Sequence, residues 1–149
     1  MKILITGGNG YIGSHTCIEL IKAGYEIIVV DNLCNSSLES LKRVESLVGC
    51  SIPFYKVDVR DKKGLTGIFE KHSIDGVIHF AGLKSVGESI ERPIDYYKTN
   101  VGGTFVLASV MLEFGCKTFV FSSSATVYGD PHTLPIKEDF PLSATNPYG

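Results

Sequence analysis

The sequence lacks a basic cluster and a long apolar run, and each absence excludes a class of protein. Fourteen Lys and Arg stand against 16 Asp and Glu, a net charge of −2, so neither nucleic acid nor an anionic membrane is expected as the main partner. No apolar run approaches the roughly 18 residues of a membrane-spanning helix. A strand is predicted from residue 2 onwards, which leaves no room for a secretory or transit segment.

The sequence also lacks paired cysteine motifs. The four cysteines, at positions 17, 34, 50 and 116, show neither Cys-x-x-Cys spacing nor pairing with histidine. We therefore expect no metal site, reduced thiols and a cytoplasmic location. The length of 149 residues, with 44% hydrophobic and 20% charged residues, fits one globular domain that binds a small ligand.

The sequence does contain a glycine-rich motif near its start. A β-branched run leads into Gly7 and then into Gly8-x-Gly10-x-x-Gly13, which is followed by a segment of helical periodicity. Three glycines at this spacing let the strand turn sharply, let the backbone approach a pyrophosphate and let the helix lie close to its strand. A plain glycine turn is the alternative. The motif predicts a phosphate site at a helix N-terminus.

An acidic residue supports this interpretation. Asp31 ends a buried apolar run and lies 18 residues after Gly13, close to the position at which an acid binds the adenosine ribose hydroxyls of a dinucleotide. No Lys or Arg follows it in residues 32–37, so nothing is placed to hold a 2′-phosphate. The pattern favours NAD over NADP.

Predicted strands and helices alternate along the whole chain. The strands are predicted at 2–6, 25–31, 52–57, 76–82 and 117–121, and the helices at 11–23, 38–48, 62–72 and 94–113, with Asp61 capping the third helix. Gly102 and Gly103 fall inside the last helix, so close packing is expected there. Residues 131–147 are predicted to form a loop. This alternation predicts an α/β fold, a Rossmann-type doubly wound parallel sheet of order 3-2-1-4-5.

The carboxyl ends of the five strands carry the candidate functional residues. The glycine loop, Asp31, Asp58, the run 80–82 and the serines 122–124 all reach one edge of such a sheet. Asp58 is either an adenine contact or a turn acid. Ser124 either caps a turn or pairs with Tyr148 around one substrate alcohol. A tyrosine titrates near pH ~10 when unperturbed, so as a base it needs a nearby cation.

Five segments together carry a family resemblance. Residues 6–15, 31–36, 79–89, 122–129 and 146–149 resemble, in order and spacing, the extended short-chain dehydrogenase/reductase family, and in particular its members that epimerise UDP-sugars. The resemblance covers essentially the whole chain. It implies NAD contacts at Gly7, Gly10, Tyr11, Ile12, Gly13, Asp31, Asn32, Leu33, Cys34, Asn35, Ser36, Asp58, Val59, Phe80, Ala81, Gly82, Lys84 and Thr99, with Asn100 as the alternative to Thr99.

The resemblance also implies a reaction. Ser124 and Tyr148 match the family's catalytic hydroxyl pair, and with Lys84 they are the expected substrate contacts. UDP-glucose and UDP-galactose would interconvert through a 4-keto sugar, with NAD accepting and returning the C4 hydride. Relatives that dehydrate nucleotide sugars carry an acidic pair just after the serine or threonine, whereas this chain has Ala125 and Thr126. Epimerisation is therefore favoured.

One family feature falls outside the sequence. The family pattern is Tyr-x-x-x-Lys, and the lysine position lies beyond Gly149. We therefore expect residues 1–149 to be an incomplete NAD-binding domain without its substrate domain. Alone, it should be inactive, with Tyr148 frayed into solvent, and the complete enzyme should be a homodimer. The alternatives are a truncated, non-catalytic NAD-binding module and another NAD-dependent nucleotide-sugar epimerase.

Overall fold

A five-stranded parallel sheet forms the centre of the molecule. The computed structural model describes all 149 residues. The strands are β1 (Lys2–Thr6), β2 (Glu26–Val30), β3 (Phe54–Tyr55), β4 (Gly76–His79) and β5 (Thr118–Phe121). They lie in the order β3-β2-β1-β4-β5, and every neighbouring pair is parallel. The predicted α/β fold and strand order are confirmed.

Helices cover both faces of this sheet. They are α1 (Tyr11–Lys22), α2 (Leu38–Val48), α3 (Lys62–Lys71), α4 (Val86–Glu91), α5 (Pro93–Tyr96) and α6 (Gly103–Glu113). Side chains alternate between the faces of a strand, so Ile3 and Ile5 join the core beneath α1 and α2, whereas Leu4 joins the core beneath α3 and α6. Two hydrophobic cores result, one on each face. None of the helices has the length and hydrophobicity needed to cross a membrane.

The helix ends follow local sequence signals. The Ser37 side chain accepts a hydrogen bond from the Glu39 N–H and begins α2, and Gly49 ends that helix with φ +71°. Asp61 caps α3 by accepting a hydrogen bond from the Gly64 N–H at 3.0 Å, as predicted. These short-range contacts explain why the boundaries of α2 and α3 lie close to those predicted.

Two strands are shorter than predicted. The strand predicted at 52–57 is reduced to Phe54–Tyr55 because Pro53 has no N–H to donate and the Val57 N–H turns back to the Tyr55 carbonyl. The strand predicted at 76–82 ends at His79. Its neighbour β1 leaves the sheet at Gly7, so residues 81 and 82 have no strand to pair with.

The helix predicted at 94–113 is built from three pieces. Between α5 and α6 lies a π-helical segment, Tyr97–Gly102, which inserts an extra residue into the turn. The two glycines predicted close packing, and this is confirmed at Gly103, where an added Cβ would lie 2.7 Å from Val59 Cγ2. The helix thus approaches the loop after β3 through a residue without a side chain.

The chain after β5 has little regular structure. A 3₁₀ turn spans Ala125–Tyr128, and residues 131–147 contain no helix or strand, as predicted. This segment returns to the 3₁₀ turn, because the Ser143 N–H donates to the Val127 carbonyl at 2.9 Å. The return brings residues 146–149 back to the carboxyl edge of the sheet.

Candidate functional site

The glycine loop between β1 and α1 is shaped by close backbone approaches. Gly7 has φ +69°, and a Cβ there would lie 2.7 Å from the Ala81 nitrogen. A Cβ at Gly13 would overlap the Gly7 carbonyl oxygen, so the helix can lie this close only without a side chain. We assigned the sharp turn after the strand to the three spaced glycines, whereas the glycine with a positive φ is Gly7, one residue before the first of them.

The first turn of α1 is open for an anion. Gly10 is the N-cap residue, and no side chain caps the helix. No acidic residue lies in the first turn, and Tyr11 and Ile12 line a cleft at the carboxyl edge of the sheet. Unpaired N–H groups and the positive end of the helix dipole favour negative charge at this place. The geometry agrees with the predicted phosphate site.

The Asp31 carboxylate is hydrogen-bonded both to the glycine loop and to the loop that follows β2. This buried carboxylate accepts hydrogen bonds from the Asn9 N–H at 3.0 Å, the Leu33 N–H at 2.9 Å and the Ser36 hydroxyl at 2.7 Å. A carboxylate has about four acceptor positions, so one remains for a ligand hydroxyl. Asp31 also lines the cleft. The acid therefore organises the glycine loop and can still contact a ribose.

Asp58 is engaged by protein groups instead. Its carboxylate accepts hydrogen bonds from the Arg60 Nε and Nη2 and from the Asn32 amide, each at 2.8 Å. The Arg60 hydrogen bonds hold the pKa of Asp58 well below its usual range, although partial burial opposes the shift. Asp58 does not line the cleft, whereas Asn32 and Val59 do. This geometry favours the turn-acid alternative, with Asp58 supporting Asn32.

The segment after β4 is held by an amide clamp. The Asn100 Oδ1 accepts from the Leu83 N–H and its Nδ2 donates to the Leu83 carbonyl, both at 2.8 Å. Thr99 lines the cleft beside residues 80–84. Thr99 and its predicted alternative Asn100 thus both line the cleft, and Asn100 also holds Leu83 in place.

Sequence reasoning missed His79 as a structural group. Its side chain is buried, with Nδ1 2.6 Å from the Thr6 hydroxyl and Nε2 2.9 Å from the Thr104 hydroxyl. The Thr104 hydroxyl donates to the Asn100 carbonyl, so it accepts from His79, and the ring is the neutral Nε2–H tautomer. Burial lowers the pKa of His79 to about 4. The sequence signal that could have predicted this role is a histidine within the apolar run of a buried strand.

Ser124 and Tyr148 lie in the same cleft as the glycine loop. Ser124 is the N-cap of the 3₁₀ turn. The expectation that Tyr148 frays into solvent is wrong in this structure. Its ring is partly buried and meets Tyr96 edge-on, with centroids 6.3 Å apart, and Asn146 Oδ1 accepts the Gly149 N–H at 3.0 Å. Tertiary packing and the Asn146 cap position Tyr148 without a completed helix.

Most of the predicted site residues line this cleft, which consists of two adjoining pockets that share Gly7, Gly10 and residues 80–84. Those that line it are Gly7, Gly10, Tyr11, Ile12, Gly13, Asp31, Asn32, Cys34, Asn35, Val59, Phe80, Ala81, Gly82, Lys84, Thr99, Ser124 and Tyr148. Leu33, Ser36 and Asp58 do not line it, but each is hydrogen-bonded to a residue that does. The structure thus brings the proposed cofactor and hydroxyl residues to one edge of the sheet.

Comparisons with known proteins agree with this geometry. The model of the NAD dependent epimerase/dehydratase family matches residues 3–149. The chain is 62% identical over 148 residues to a UDP-glucose 4-epimerase of Dictyostelium discoideum and 58% identical over 149 residues to that of Bacillus subtilis. These matches cover 99% and 100% of the chain but only 43% and 44% of the two relatives.

A solved structure gives the same result. The UDP-glucose 4-epimerase of Bifidobacterium longum, in complex with NAD+ and UDP, superposes with a TM-score of 0.97 at 50% identity. It is matched over 99% of this chain and 44% of its own. The chain therefore spans less than half the length of these relatives.

Proposed function

Because the chain belongs to the NAD-dependent epimerase/dehydratase family, we propose that residues 1–149 form the NAD-binding domain of an enzyme that interconverts UDP-glucose and UDP-galactose. The observation that carries this proposal is the shared cleft, in which Ser124 and Tyr148 face the same space as the glycine loop. The chain spans about 44% of the relatives' length, so the activity is proposed for a protein in which the remaining part, including the substrate domain, is supplied.

NAD fits the residues that are present. The close approach of Gly7 to Ala81 and the uncapped first turn of α1 leave a cradle of backbone suited to a pyrophosphate. The fourth acceptor position of Asp31 suits a ribose hydroxyl, while residues 32–37 offer no cation for a 2′-phosphate. Bound NAD would supply hydride acceptance and return at the sugar C4.

The hydroxyl pair would handle the proton at the sugar. Tyr148, acting as a phenolate, would take the proton of the 4-hydroxyl and become the phenol, and Ser124 would form a hydrogen bond to the same oxygen. Lys84 lines the same cleft and is a further candidate substrate contact. When the 4-keto sugar turns over, the proton would return from Tyr148 together with the hydride that bound NAD would supply, so the overall reaction would leave no net change in oxidation state.

The choice of epimerisation over dehydration rests on the residues after Ser124. Loss of a hydroxyl as water needs an acid that protonates the leaving oxygen. Ala125 and Thr126, the first residues of the 3₁₀ turn, carry no carboxyl group. The arrangement suits reversible removal of a hydride and a proton at one carbon.

The test is a fusion protein. This chain would be continued with the portion of the Bacillus subtilis relative that follows its matched region, and UDP-glucose formation from UDP-galactose would be followed in a coupled assay. We expect turnover by the fusion, none by residues 1–149 alone, and a loss of about a hundredfold or more in kcat for Tyr148→Phe in the fusion. Equal turnover by the short chain would contradict the assignment of the domains.

A non-catalytic NAD-binding module is the second candidate, because most of the residues expected to contact NAD line the cleft within residues 1–149. Under this alternative the chain binds NAD but the fusion does not turn over. Another NAD-dependent nucleotide-sugar epimerase would instead turn over a different sugar pair, so N-acetylated UDP-sugars belong in the same assay.

We also propose that the complete enzyme is a homodimer. Exposed apolar side chains repeat along the outer face of the α5–α6 helical segment, at Tyr97, Val101, Phe105 and Leu112. Such a stripe suits burial against a second copy. All four cysteines are free, which is compatible with the cytoplasmic location that we propose for the enzyme.

A further inference from the structure

The oxygen of Ser124 receives two hydrogen bonds from one residue. The Thr126 hydroxyl donates to Ser124 Oγ at 2.8 Å, and the Thr126 N–H donates to the same atom at 3.2 Å. A serine hydroxyl has one proton to donate and two acceptor positions. Thr126 occupies both acceptor positions, so the Ser124 proton is the one group left for an outside partner.

The same residue also supports the segment that carries Tyr148. The Thr126 carbonyl lies close to Gly149. A Cβ added at Gly149 would be only 2.6 Å from the Thr126 carbonyl oxygen. The neighbouring Val127 carbonyl accepts the Ser143 N–H at 2.9 Å, which closes the returning loop onto the turn. The 3₁₀ turn therefore sets the place of both candidate hydroxyl groups.

We propose that Thr126 is a positioning residue that fixes Ser124 as a hydrogen-bond donor toward the substrate oxygen. This inference rests on the proposed function. Ser124 keeps its own proton throughout the reaction, because both acceptor positions of its oxygen are occupied by the N–H and the hydroxyl of Thr126. The substrate proton is then left to Tyr148, and the two hydroxyls have different roles: one donates to the sugar oxygen and the other accepts its proton.

Substitution of Thr126 separates positioning from packing. Thr126→Val keeps the branched shape and the backbone N–H but removes the hydroxyl donor, whereas Thr126→Ser keeps the donor and removes the methyl group. In the fusion protein we expect Thr126→Val to lower kcat by about tenfold with KM unchanged, and Thr126→Ser to stay within about threefold of the parent. A valine variant with the parent's kcat, or a serine variant as slow as valine, overturns the proposal.

A double-mutant cycle identifies the group through which Thr126 acts. If it acts through Ser124, Thr126→Val has no further effect on kcat in a Ser124→Ala background. Equal fractional losses in both backgrounds would mean that Thr126 acts elsewhere, and the proposal would be wrong.

One measurement is independent of turnover. Crystal structures of residues 1–149 and of its Thr126→Val variant should show Ser124 Oγ leaving its position over the turn when the hydroxyl is lost. An unmoved Ser124 overturns the positioning role even if the fusion is active. If the unsubstituted fusion is inactive, the proposed function fails, and the crystal structures still decide the role of Thr126.

Discussion

The ring of Tyr148 meets the ring of Tyr96 edge-on, with centroids 6.3 Å apart and planes 76° apart. Tyr96 is itself held firmly, because its hydroxyl accepts the Ser85 N–H at 2.9 Å and donates to Glu88 Oε2 at 2.8 Å. Burial, together with the hydrogen bond to Glu88, raises the pKa of Tyr96. The candidate base thus rests on a side chain that ties α5 to the cap of α4.

Removing the Tyr96 hydroxyl should destabilise the fold. Tyr96→Phe leaves the Ser85 N–H without its acceptor, and we expect a loss of about 1–3 kcal/mol in the free energy of unfolding. The matched control is Tyr97→Phe. Because Tyr97 is exposed, this substitution should change the free energy of unfolding by less than about 0.5 kcal/mol. Urea unfolding measures both, and equal effects would contradict the buried hydrogen-bond pair.

Asp31 should contribute both to NAD binding and to stability. Asp31→Ala removes the carboxylate proposed to bind the ribose, and we expect NAD affinity to fall by about 1–3 kcal/mol. The same change leaves the Asn9 and Leu33 N–H groups without a hydrogen-bond acceptor, so thermal stability should fall as well. Calorimetric titration measures the affinity, with exposed Asp139→Ala as control. Unchanged affinity would remove Asp31 from the cofactor site.

His79 should make stability depend on pH. Its folded pKa of about 4 lies below the unfolded value of 6.5, so the unfolded chain binds the proton first as the pH falls. The stability is fully present above about pH 6.5 and is lost progressively down to about pH 4, to a total on the order of 3 kcal/mol. Urea unfolding at pH 7 and pH 4.5 should show this loss in the parent chain.

The control for this pH effect is a pair of glutamine substitutions. His79→Gln should flatten the dependence between pH 7 and pH 4.5 because the titrating ring is gone. His15→Gln should leave it intact, since His15 is exposed on α1. A His79→Gln variant with the parent's full slope would show that other groups cause the loss.

Two helical glycines should respond to alanine with opposite signs. Gly67 in α3 has open space around its missing Cβ, so Gly67→Ala should stabilise the chain by about 0.5–1 kcal/mol. Gly103 faces Val59 at 2.7 Å, so Gly103→Ala should destabilise it by about 1–3 kcal/mol. Denaturant unfolding compares the pair, and stabilisation at both positions would show that the helix need not pack so closely.

The edge strand β5 should promote association of the isolated chain. Every residue of Thr118–Phe121 is exposed, and the outer edge of the strand has no neighbour in the sheet. Val120→Lys should reduce association in analytical ultracentrifugation, whereas Leu47→Lys, a charge added to exposed α2, should not. A parent chain that remains monodisperse at high concentration would refute this expectation.

The sequence was sufficient for features set by short-range rules or by sheet topology. Gly49 ends α2 and Asp61 begins α3 because each acts within one helical turn. The strand order follows from alternating strands and helices with right-handed crossovers. The convergence of the glycine loop and Ser124 on one cleft then follows from the parallel sheet.

Features that depend on distant contacts could not be predicted. A prediction from hydrophobic periodicity assumes a constant helical pitch, so it predicted a single helix over residues 94–113. The structure instead has a π-helical segment there, from which Asn100 contacts Leu83. The packing of Tyr148 on Tyr96 joins residues far apart in sequence, and local helix propensity alone led to the wrong expectation of fraying. His79 was missed for the same reason, since its partners Thr6 and Thr104 lie on other elements.

The central place of β1 has a consequence for biosynthesis. Leu4 of this first strand is paired with Ile28 on one side and with Val77 on the other. Because a ribosome makes a chain from the amino-terminal side, β1 and the glycine loop are made before β4, and one side of β1 stays open until β4 has followed. A nascent chain therefore carries an exposed apolar strand edge during the synthesis of the residues between β1 and β4. The segment proposed to hold the cofactor is made before β4, and it depends on these later residues for its protection from solvent.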